Sequence, residues 1–552
     1  MEPTRYSFNV TWREPREVTP TLDEISQNPG LYYQAGDIAW VLTATALVYL
    51  MIIGLSLFYA GISQPRTSLS MAWLPLMTAA LISVQWFLWG YSIAFSNWGN
   101  SSNYWGGTSG FALHDALLRP VPATRNSDRD GPYIPEILYA LFEMVFAAFT
   151  GALVSGSAAF KERPGHFLVF ILFWTTFVYD PIARWTWNAD GWPSQLGWHP
   201  LDFAGGSPVH ICAAFTVLAH CLYHLHIFPR ISHGMGGPKV SSHGHDSDDL
   251  RDIPTGGAPA LPDIPPAGGH VPPPPSHPKA NTQPHNCQTE ESAANYILVI
   301  LGTMFLWLGW FGFNGGSALG SSVRAVTAVV NTHLAASTGG VSHVLISAYI
   351  SRRQRKKAGS TSADSVDKMN DGRGNGRRPF IFSLVDFANG AIIGLVTVTP
   401  AAGYIPVTIS PVFGFLPVLI CIPLYRVSEL IEDYLFIFVI HGVGGVVGML
   451  LTGVFARGDI AELDGFTKAE DANGAWGGYG MQILIQLTDA VVTAAYSFFF
   501  TMVLLILLDV LGFALRKIVW RQAGEDRKIG TSQVLVEEST QGAITTSTTE
   551  VP

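Results

Sequence analysis

The chain has 552 residues, of which 48% are hydrophobic and only 13% are charged, and it contains 32 Phe and 16 Trp. This composition is typical of an integral membrane protein and excludes an ordinary soluble multidomain chain. The formal net charge of −9 comes mainly from loops and tails. The sequence has no basic stripe of the kind that binds nucleic acid, so no nucleic-acid partner is predicted.

Apolar runs long enough to cross a bilayer recur along nearly the whole chain. A spanning helix needs about 20 apolar residues at a rise of about 1.5 Å per residue. By that measure the sequence predicts an all-α membrane protein with eleven transmembrane helices in a lipid bilayer. The predicted spans are 37–62, 69–95, 134–160, 166–183, 203–227, 293–313, 324–350, 380–402, 408–425, 434–456 and 481–515.

Basic residues are concentrated between the seventh and eighth predicted spans, in SRRQRKKA and GRGNGRR. The positive-inside rule assigns such a loop to the cytoplasm. Counting spans from this loop predicts an amino terminus outside the cell and a cytoplasmic carboxyl terminus. The sequon at Asn9 then lies on the outer face, which makes Asn9 a glycosylation candidate.

The predicted spans and their connections divide the chain into six segments. The central connection is rich in Pro and Gly, cannot bury enough apolar surface to fold alone, and is predicted to be disordered. Its histidines are irregularly spaced, so no metal ligand is predicted there. The segments are an extracellular amino-terminal segment at 1–36, a first transmembrane repeat at 37–227, the disordered cytoplasmic linker at 228–292, a second repeat at 293–456, an extracellular loop with the eleventh helix at 457–518, and a cytoplasmic tail at 519–552.

Two histidines, His210 and His441, lie in apolar spans among glycines. Each belongs to the fifth span of its half, in DFAGGSPVH and in FIFVIHGVGG. An odd number of spans per repeat inverts the second copy, and inverted repeats form a central pathway at their interface. We therefore expect an inverted five-helix repeat plus one extra helix, with the two histidines facing each other. Intramembrane ionisable groups are functional candidates by default.

The histidine pair permits more than one interpretation. The glycines also fit a simple packing surface on which each histidine bonds to nearby backbone, although two histidines at matched places favour a function. A pair of histidines is too few for the usual tetrahedral metal cage, so no metal site is predicted. A stable ion would need a ring of carbonyls or carboxylates to replace its bound water. The sequence of the apolar spans shows no such ring. Imidazoles suit a conducted species that exchanges protons.

Six motifs follow one another along the chain: GLSLFYAG, SVQWFLWGYSIAFS, DFAGGSPVHI, GWFGFNGGSALG, VTPAAGY and HGVGGVVGMLLTGVFA. In these motifs the chain resembles the ammonium transporters of the Amt/Mep/Rh family, and it is fungal Mep-like in DFAGGSPVHI and in its outside amino terminus. The resemblance extends over all eleven predicted spans. It implies a plasma-membrane transporter of ammonium or methylammonium rather than an enzyme, with no cofactor, assembled as a homotrimer with one pore per protomer.

The resemblance also implies roles for side chains near the outer face. Trp187, Phe146 and Ser317 match the family's site for recruiting NH4+; aromatic faces attract cations, and a hydroxyl accepts an ammonium hydrogen. Phe146 and Phe313 match the stacked phenyl pair that closes the pore. Without the resemblance, each aromatic residue is more simply explained as an interfacial anchor or a core residue.

Beyond this ring pair, His210 and His441 match the family's twin histidines, which are bonded to each other in a narrow apolar lumen. Low dielectric there favours the splitting of NH4+ into NH3 and a proton, which K+ cannot undergo. The resemblance thus implies that the histidines relay the proton while NH3 crosses into the cytoplasm. Asp202 matches an aspartate that orders the vestibule, and a helix cap is its structural alternative.

Two positions depart from the family pattern. Phe436 stands at the inner mouth, where the family commonly has Asp five residues before the second histidine, and it makes the cytoplasmic exit less polar. Glu143 stands near the outer gate where Gln is common. There it either raises the local cation concentration or pairs with a nearby donor.

Two other functions remain open from the sequence. The first is a neutral NH3 or CO2 channel of the Rh type, against which the intact Trp187 and Phe146 recruitment motif argues. The second is an ammonium sensor with little transport, which the long loops and Phe436 favour.

Overall fold

The fold consists mainly of long α-helices. The computed structural model describes residues 27, 33–97, 100–114, 116–117, 119–122, 133–158, 161–234, 287–358 and 383–545. The principal α-helices are α1 (Ala35–Ile62), α2 (Pro65–Gln85), α3 (Tyr91–Phe95), α4 (Glu136–Ala158), α5 (Pro164–Trp174), α6 (Asp180–Trp187), α7 (Trp192–Gln195), α8 (Cys212–Leu222), α9 (Phe228–Gly234), α10 (Cys287–Gly316), α11 (Val323–Ala358), α12 (Leu384–Val398), α13 (Ser410–Leu430), α14 (Gly444–Phe455), α15 (Gly458–Ala461) and α16 (Met481–Thr545).

Nine helical segments within the described part of the chain are long and apolar enough to cross a membrane. They coincide with nine of the eleven predicted spans. The remaining two predicted spans correspond to α11, which carries polar side chains such as Asn331, Thr332 and His333, and to α12, which has only 15 residues. The all-α membrane fold is therefore confirmed, and the count of eleven spans is consistent with it but stays a prediction.

Five π-helical turns interrupt or begin spanning helices in the described ranges. Turns of this kind are frequent at functional sites, because the extra residue changes the direction of neighbouring side chains. Two of the five contain the buried histidines, His210 and His441. The turns are Trp86–Gly90, Thr175–Tyr179, Gly206–Ile211, Tyr223–Ile227 and Phe438–Val443.

Helices α1 and α10 form an extensive, very close pair. A Cβ atom added to Gly54 would lie 2.8 Å from the backbone nitrogen of Leu306, and one added to Gly302 would lie 2.5 Å from that of Phe58. Only glycine permits this approach, which is how small residues bring membrane helices together. The pair fixes the position of α10, which carries Phe313.

The segment between α3 and α4 lies across one end of the bundle. Arg184 of α6 is fully buried and donates from Nε to the Ser102 carbonyl at 2.8 Å and from Nη1 to the Ser96 carbonyl at 3.1 Å. The strands β1 (Pro120–Pro122) and β2 (Tyr133–Pro135) pair antiparallel and lead directly into α4. These bonds hold the loop in place beside the site described next.

Candidate functional site

A cavity of about 740 Å³ lies at the end of the bundle where β1 is found. Its wall includes Trp187, Phe146 and Ser317, so the structure brings the three predicted recruitment residues to one cavity. Glu136 and Glu143 contribute carboxyl groups to the same wall. We call this part of the molecule the cavity end.

Two arginines of the cavity wall are paired with carboxylates. Arg119 lies 3.3 Å from Glu136, and Arg324 lies 2.8 Å from Asp464. The Arg324 guanidinium also stacks on Tyr404, with 4.7 Å between the guanidinium carbon and the ring centroid. Because their charges are compensated, these guanidinium groups repel a cation in the cavity less than isolated ones would.

Trp187 is held in a fixed orientation at the cavity wall. Its indole N–H donates to the carbonyl of Asp202 at 3.2 Å, and its ring meets Phe146 edge to face with 5.8 Å between centroids. Gly205 adopts a left-handed φ of 111°, and a Cβ there would lie 3.1 Å from the indole ring. Glycine therefore satisfies both the backbone conformation and the ring contact.

Ser317 points its hydroxyl hydrogen away from the cavity. The hydroxyl donates to the carbonyl of Phe313 at 2.8 Å. This bond uses the hydrogen and leaves the oxygen lone pairs to accept from a ligand. The structure thus supplies an acceptor beside the two aromatic residues Trp187 and Phe146.

Phe146 and Phe313 form the predicted stacked pair. Their ring centroids lie 4.1 Å apart with 18° between the planes, and their side chains are 1% and 0% exposed. Phe146 belongs to the cavity wall, and Phe313 lies behind it. The Phe313 ring is 6.2 Å from that of His210, which also stacks on Trp310 at 5.5 Å. The phenyl pair therefore separates the cavity from the histidines.

His210 and His441 contact each other directly, as predicted. Their Nδ1 atoms lie 3.2 Å apart, and both side chains are buried. One proton in this bond requires one imidazole to donate and the other to accept, so the two Nε2 atoms differ in protonation. Nε2 of His210 is buried and has no hydrogen-bond partner among the described residues. The pair can therefore accept a proton at one end and release one at the other.

Asp202 contacts both the turn that carries His210 and the cavity wall. Its carboxylate accepts the backbone N–H groups of Gly205, Gly206 and Ser207 at 2.7–2.8 Å. It is therefore the cap of the π-turn that carries His210. Its backbone carbonyl, by contrast, accepts the indole bond described above and so positions the cavity wall.

Asp433 caps the second histidine segment and was not among the predicted site residues. It accepts the backbone N–H groups of Ile437 at 3.1 Å and Phe438 at 2.7 Å, and the Ser428 hydroxyl at 3.0 Å. Burial raises the pKa of Asp433 to about 6, although these bonds oppose the rise. Its spacing to His441 equals that of Asp202 to His210, and this repeat is the signal in the sequence that identifies it.

Phe436 packs against Tyr425 with 4.7 Å between ring centroids. It does not belong to the cavity wall. Its φ of 57° is left-handed, which is unusual for an aromatic residue and common for Asp or Asn. Its position at an inner mouth stays a prediction, and Asn9 lies outside the described residues.

Trp310 is a second residue that the sequence did not single out. It is fully buried and donates its indole N–H to the Thr399 hydroxyl at 2.9 Å while stacking on His210. Trp310 lies in the motif GWFGFNGGSALG, which contributes to the family resemblance. The sequence does not indicate that this Trp, among many aromatic residues, stacks on His210.

Comparisons with known proteins identify the family of the chain. A sequence profile described as the Ammonium Transporter Family matches residues 39–247, 276–362 and 376–533. The chain is 35% identical over 521 residues to Ammonium transporter 1 of Schizosaccharomyces pombe, covering 94% of this chain and 84% of that protein. It is 28% identical over 537 residues to Ammonium transporter MEP2 of Saccharomyces cerevisiae, covering 97% and 89%.

A solved structure shares the fold. The crystal structure of Candida albicans Mep2 matches with a TM-score of 0.65 at 33% identity, covering 88% of this chain and 86% of that chain. The family resemblance and its fungal Mep-like character are thereby confirmed. The chain belongs to the ammonium transporter family.

Proposed function

We propose that this protein is a transmembrane ammonium transporter that binds NH4+ in the cavity, removes its proton, and conducts NH3 and H+ past His210 and His441. One observation carries the proposal: a cavity suited to a cation leads through a stacked phenyl pair to a buried histidine pair. The successive centroid distances are 4.1 Å from Phe146 to Phe313, 6.2 Å from Phe313 to His210 and 5.2 Å from His210 to His441.

The first step is recruitment of NH4+ between Trp187, Phe146 and Ser317. The aromatic faces attract the cation, which is worth about 0.5–2 kcal/mol depending on desolvation. The serine oxygen accepts one N–H. Glu143, in the same wall, adds a carboxyl group that favours a cation over a neutral or anionic solute, whereas the charge of Glu136 is compensated by Arg119.

Selection follows from the phenyl pair. The stacked rings exclude water, so a cation that passes them loses its hydration in a low-dielectric region, which disfavours charge. NH4+ avoids this penalty by giving up a proton and continuing as NH3. K+ has no proton to give and stays excluded.

The histidine pair then carries the proton. The Nε2 lone pair of one imidazole accepts H+, its Nδ1–H passes to the Nδ1 of the other imidazole, and that ring releases its Nε2–H. Charge and hydrogen count are conserved, and one passage reverses both tautomers. The pair must be reset before it can carry the next proton in the same direction.

The membrane context belongs to the same proposal. The cavity end faces the outside of a plasma membrane, the opposite end faces the cytoplasm, and Asn9 is on the outer side. The segments given from the sequence describe two inverted repeats, the linker, the eleventh helix and the tail. Helix α9 (Phe228–Gly234) and the start of α10 at Cys287 lie within the linker range, and α16 (Met481–Thr545) continues into the tail range. Protomers assemble as a homotrimer with one pore each, and methylammonium is an alternative substrate.

Two alternatives are tested by uptake and current. A neutral Rh-type channel has no need for a cavity wall that attracts cations, so we expect an ammonium-evoked inward current. A sensor would bind ammonium without appreciable flux. In cells that lack their own ammonium transporters, we expect saturable methylammonium uptake. Its absence at normal surface expression would contradict transport and favour sensing.

A further inference from the structure

Three metal-binding side chains converge at the end of the bundle opposite the cavity. Glu162 follows the end of α4, whose first residue, Glu136, lines the cavity. With its 23 residues, α4 separates the two places by about 35 Å at about 1.5 Å per residue. His220 and His224 come from α8 and the π-turn after it. One ligand atom from each of Glu162, His220 and His224 lies within 4.8 Å of the others.

The two histidines have the spacing of a helical metal chelate. They are four residues apart, and their ring centroids lie 4.5 Å apart, so the imidazoles are neighbours on one helix face. Histidines at this spacing bind zinc as a pair when a carboxylate or a third histidine completes the site. Glu162, from a separate segment, supplies that carboxylate.

Nitrogen atoms in this cluster lack partners. His220 is fully buried, and its Nε2 lies 2.7 Å from Oε1 of Glu162. Nδ1 of His220 and Nε2 of His224 are buried and have no hydrogen-bond partner within the described part of the chain. Buried polar atoms are normally satisfied. The unpartnered Nε2 of His224 therefore indicates a ligand, and Nε2 of His220, which lies against Glu162, is the nitrogen that would bind the same ion.

The Glu162 carboxylate is held in place by two histidines. Its Oε1 lies 2.7 Å from Nε2 of His220. His166 contacts Oε2 of Glu162 through Nδ1, and its Nε2 lies 3.2 Å from Asp509 of α16. Such a partner behind a ligand fixes the ligand's orientation.

We propose that Glu162, His220 and His224 bind a divalent transition-metal ion of the Zn2+ class. Imidazole and carboxylate ligands at about 2.0–2.2 Å suit this ion, and three protein ligands leave one position for water. The metal replaces the proton shared by His220 and Glu162. Lys161, the adjacent cation, is paired with Glu432 at 3.2 Å, which reduces its repulsion of the metal.

The ion would fasten the segment between α4 and α5 to α8. Tyr223, between the two histidines, donates to Asp509 at 2.5 Å and extends the connection to α16. The site is separate from His210 and His441, so metal binding stabilises this end of the bundle whether or not ammonium is conducted.

Cobalt is the probe for this site, because Co2+ in a low-symmetry nitrogen and oxygen site absorbs visible light. The purified full-length protein is treated with a chelator, dialysed and titrated with Co2+, and the absorption is then displaced with Zn2+. We expect one Co2+ per chain in the wild type and in His226→Ala, which removes an exposed histidine two residues beyond the site. His224→Ala and Glu162→Gln should lose this absorption or weaken binding more than tenfold.

A further variant separates a metal site from a hydrogen-bonded network. His166→Ala keeps all three ligands and should weaken binding about 10- to 100-fold, as loss of a ligand's supporting bond does. Glu162→Gln, similar in size to the native residue, decides the outcome if His224→Ala fails to fold. If the Co2+ absorption is equal in all variants, the metal binds to other histidines and the proposal is overturned. The proposal is also overturned if the wild type shows no Co2+ absorption.

Discussion

Asp202 and Asp433 occupy equivalent positions in the two halves of the chain: each lies eight residues before a buried histidine and caps the helix that bears it. Each histidine is in a π-helical turn, and the two turns meet at the 3.2 Å contact between His210 and His441. This correspondence supports the inverted repeat proposed from the order of the spans. It also explains how two apolar segments hold imidazoles at one fixed separation.

The first prediction concerns the pH dependence of stability. Burial raises the folded pKa of Asp433 to about 6, above about 3.9 for an unfolded aspartate. The fold therefore favours the protonated form, whose stabilisation is present below about pH 4 and is lost as the pH rises through about 6. Asn does not ionise, so we expect Asp433→Asn to lack this contribution to the pH dependence of the free energy of unfolding. The missing contribution is on the order of 1–3 kcal/mol.

Thermal unfolding between pH 4 and 7.5 measures this effect. Asp459→Asn is the control, because Asp459 is exposed and pairs with Arg457; it should keep the wild-type dependence. An Asp433→Asn protein with the wild-type pH dependence would show that Asp433 ionises normally.

The second prediction concerns recruitment. Trp187→Leu removes an aromatic face from the cavity wall, which we expect to cost about 0.5–2 kcal/mol of cation binding and to raise KM for methylammonium about 2- to 30-fold. The control is Trp476→Leu, a tryptophan that is 53% exposed and lies outside the cavity wall. If both variants have the wild-type KM, Trp187 does not recruit the cation.

The third prediction concerns Phe436, which lies five residues before His441. Asp and Asn both tolerate the left-handed backbone of Phe436, so Phe436→Asp and Phe436→Asn differ mainly in charge. We expect Phe436→Asp to transport faster than both Phe436→Asn and the wild type, because a carboxylate makes the exit more polar. Equal initial uptake rates at equal surface expression would mean that this exit does not limit transport.

The parts of the fold that follow from long apolar runs were predictable. Spans are identified by length and hydropathy, which local sequence contains, and the pairing of His210 with His441 followed from their matched places. The helix expected at 380–402 extends only over Leu384–Val398, because helix ends depend on capping and packing that periodicity does not reveal. The π-turns were not predicted for the same reason.

The parts that depend on distant contacts were not predictable. Asp433 is not identified as a site residue from the sequence, because its bonds to the backbone of Ile437 and Phe438 require the turn that only the structure shows. Glu162 lies 58 residues from His220, so no local spacing joins them. The expectation of no metal site was based on the linker histidines and the pair at His210 and did not consider this cluster, so it stays a prediction.

The most direct test of the central claim is the ammonium-evoked current of the wild type, His210→Ala and the exposed-histidine control His226→Ala, with K+ as the competing ion. We expect an inward current in the wild type and in His226→Ala that K+ neither carries nor blocks. In His210→Ala the proton relay is broken, so the current should disappear or lose its discrimination against K+. A His210→Ala protein with wild-type current and unchanged exclusion of K+ would contradict proton relay by the histidine pair.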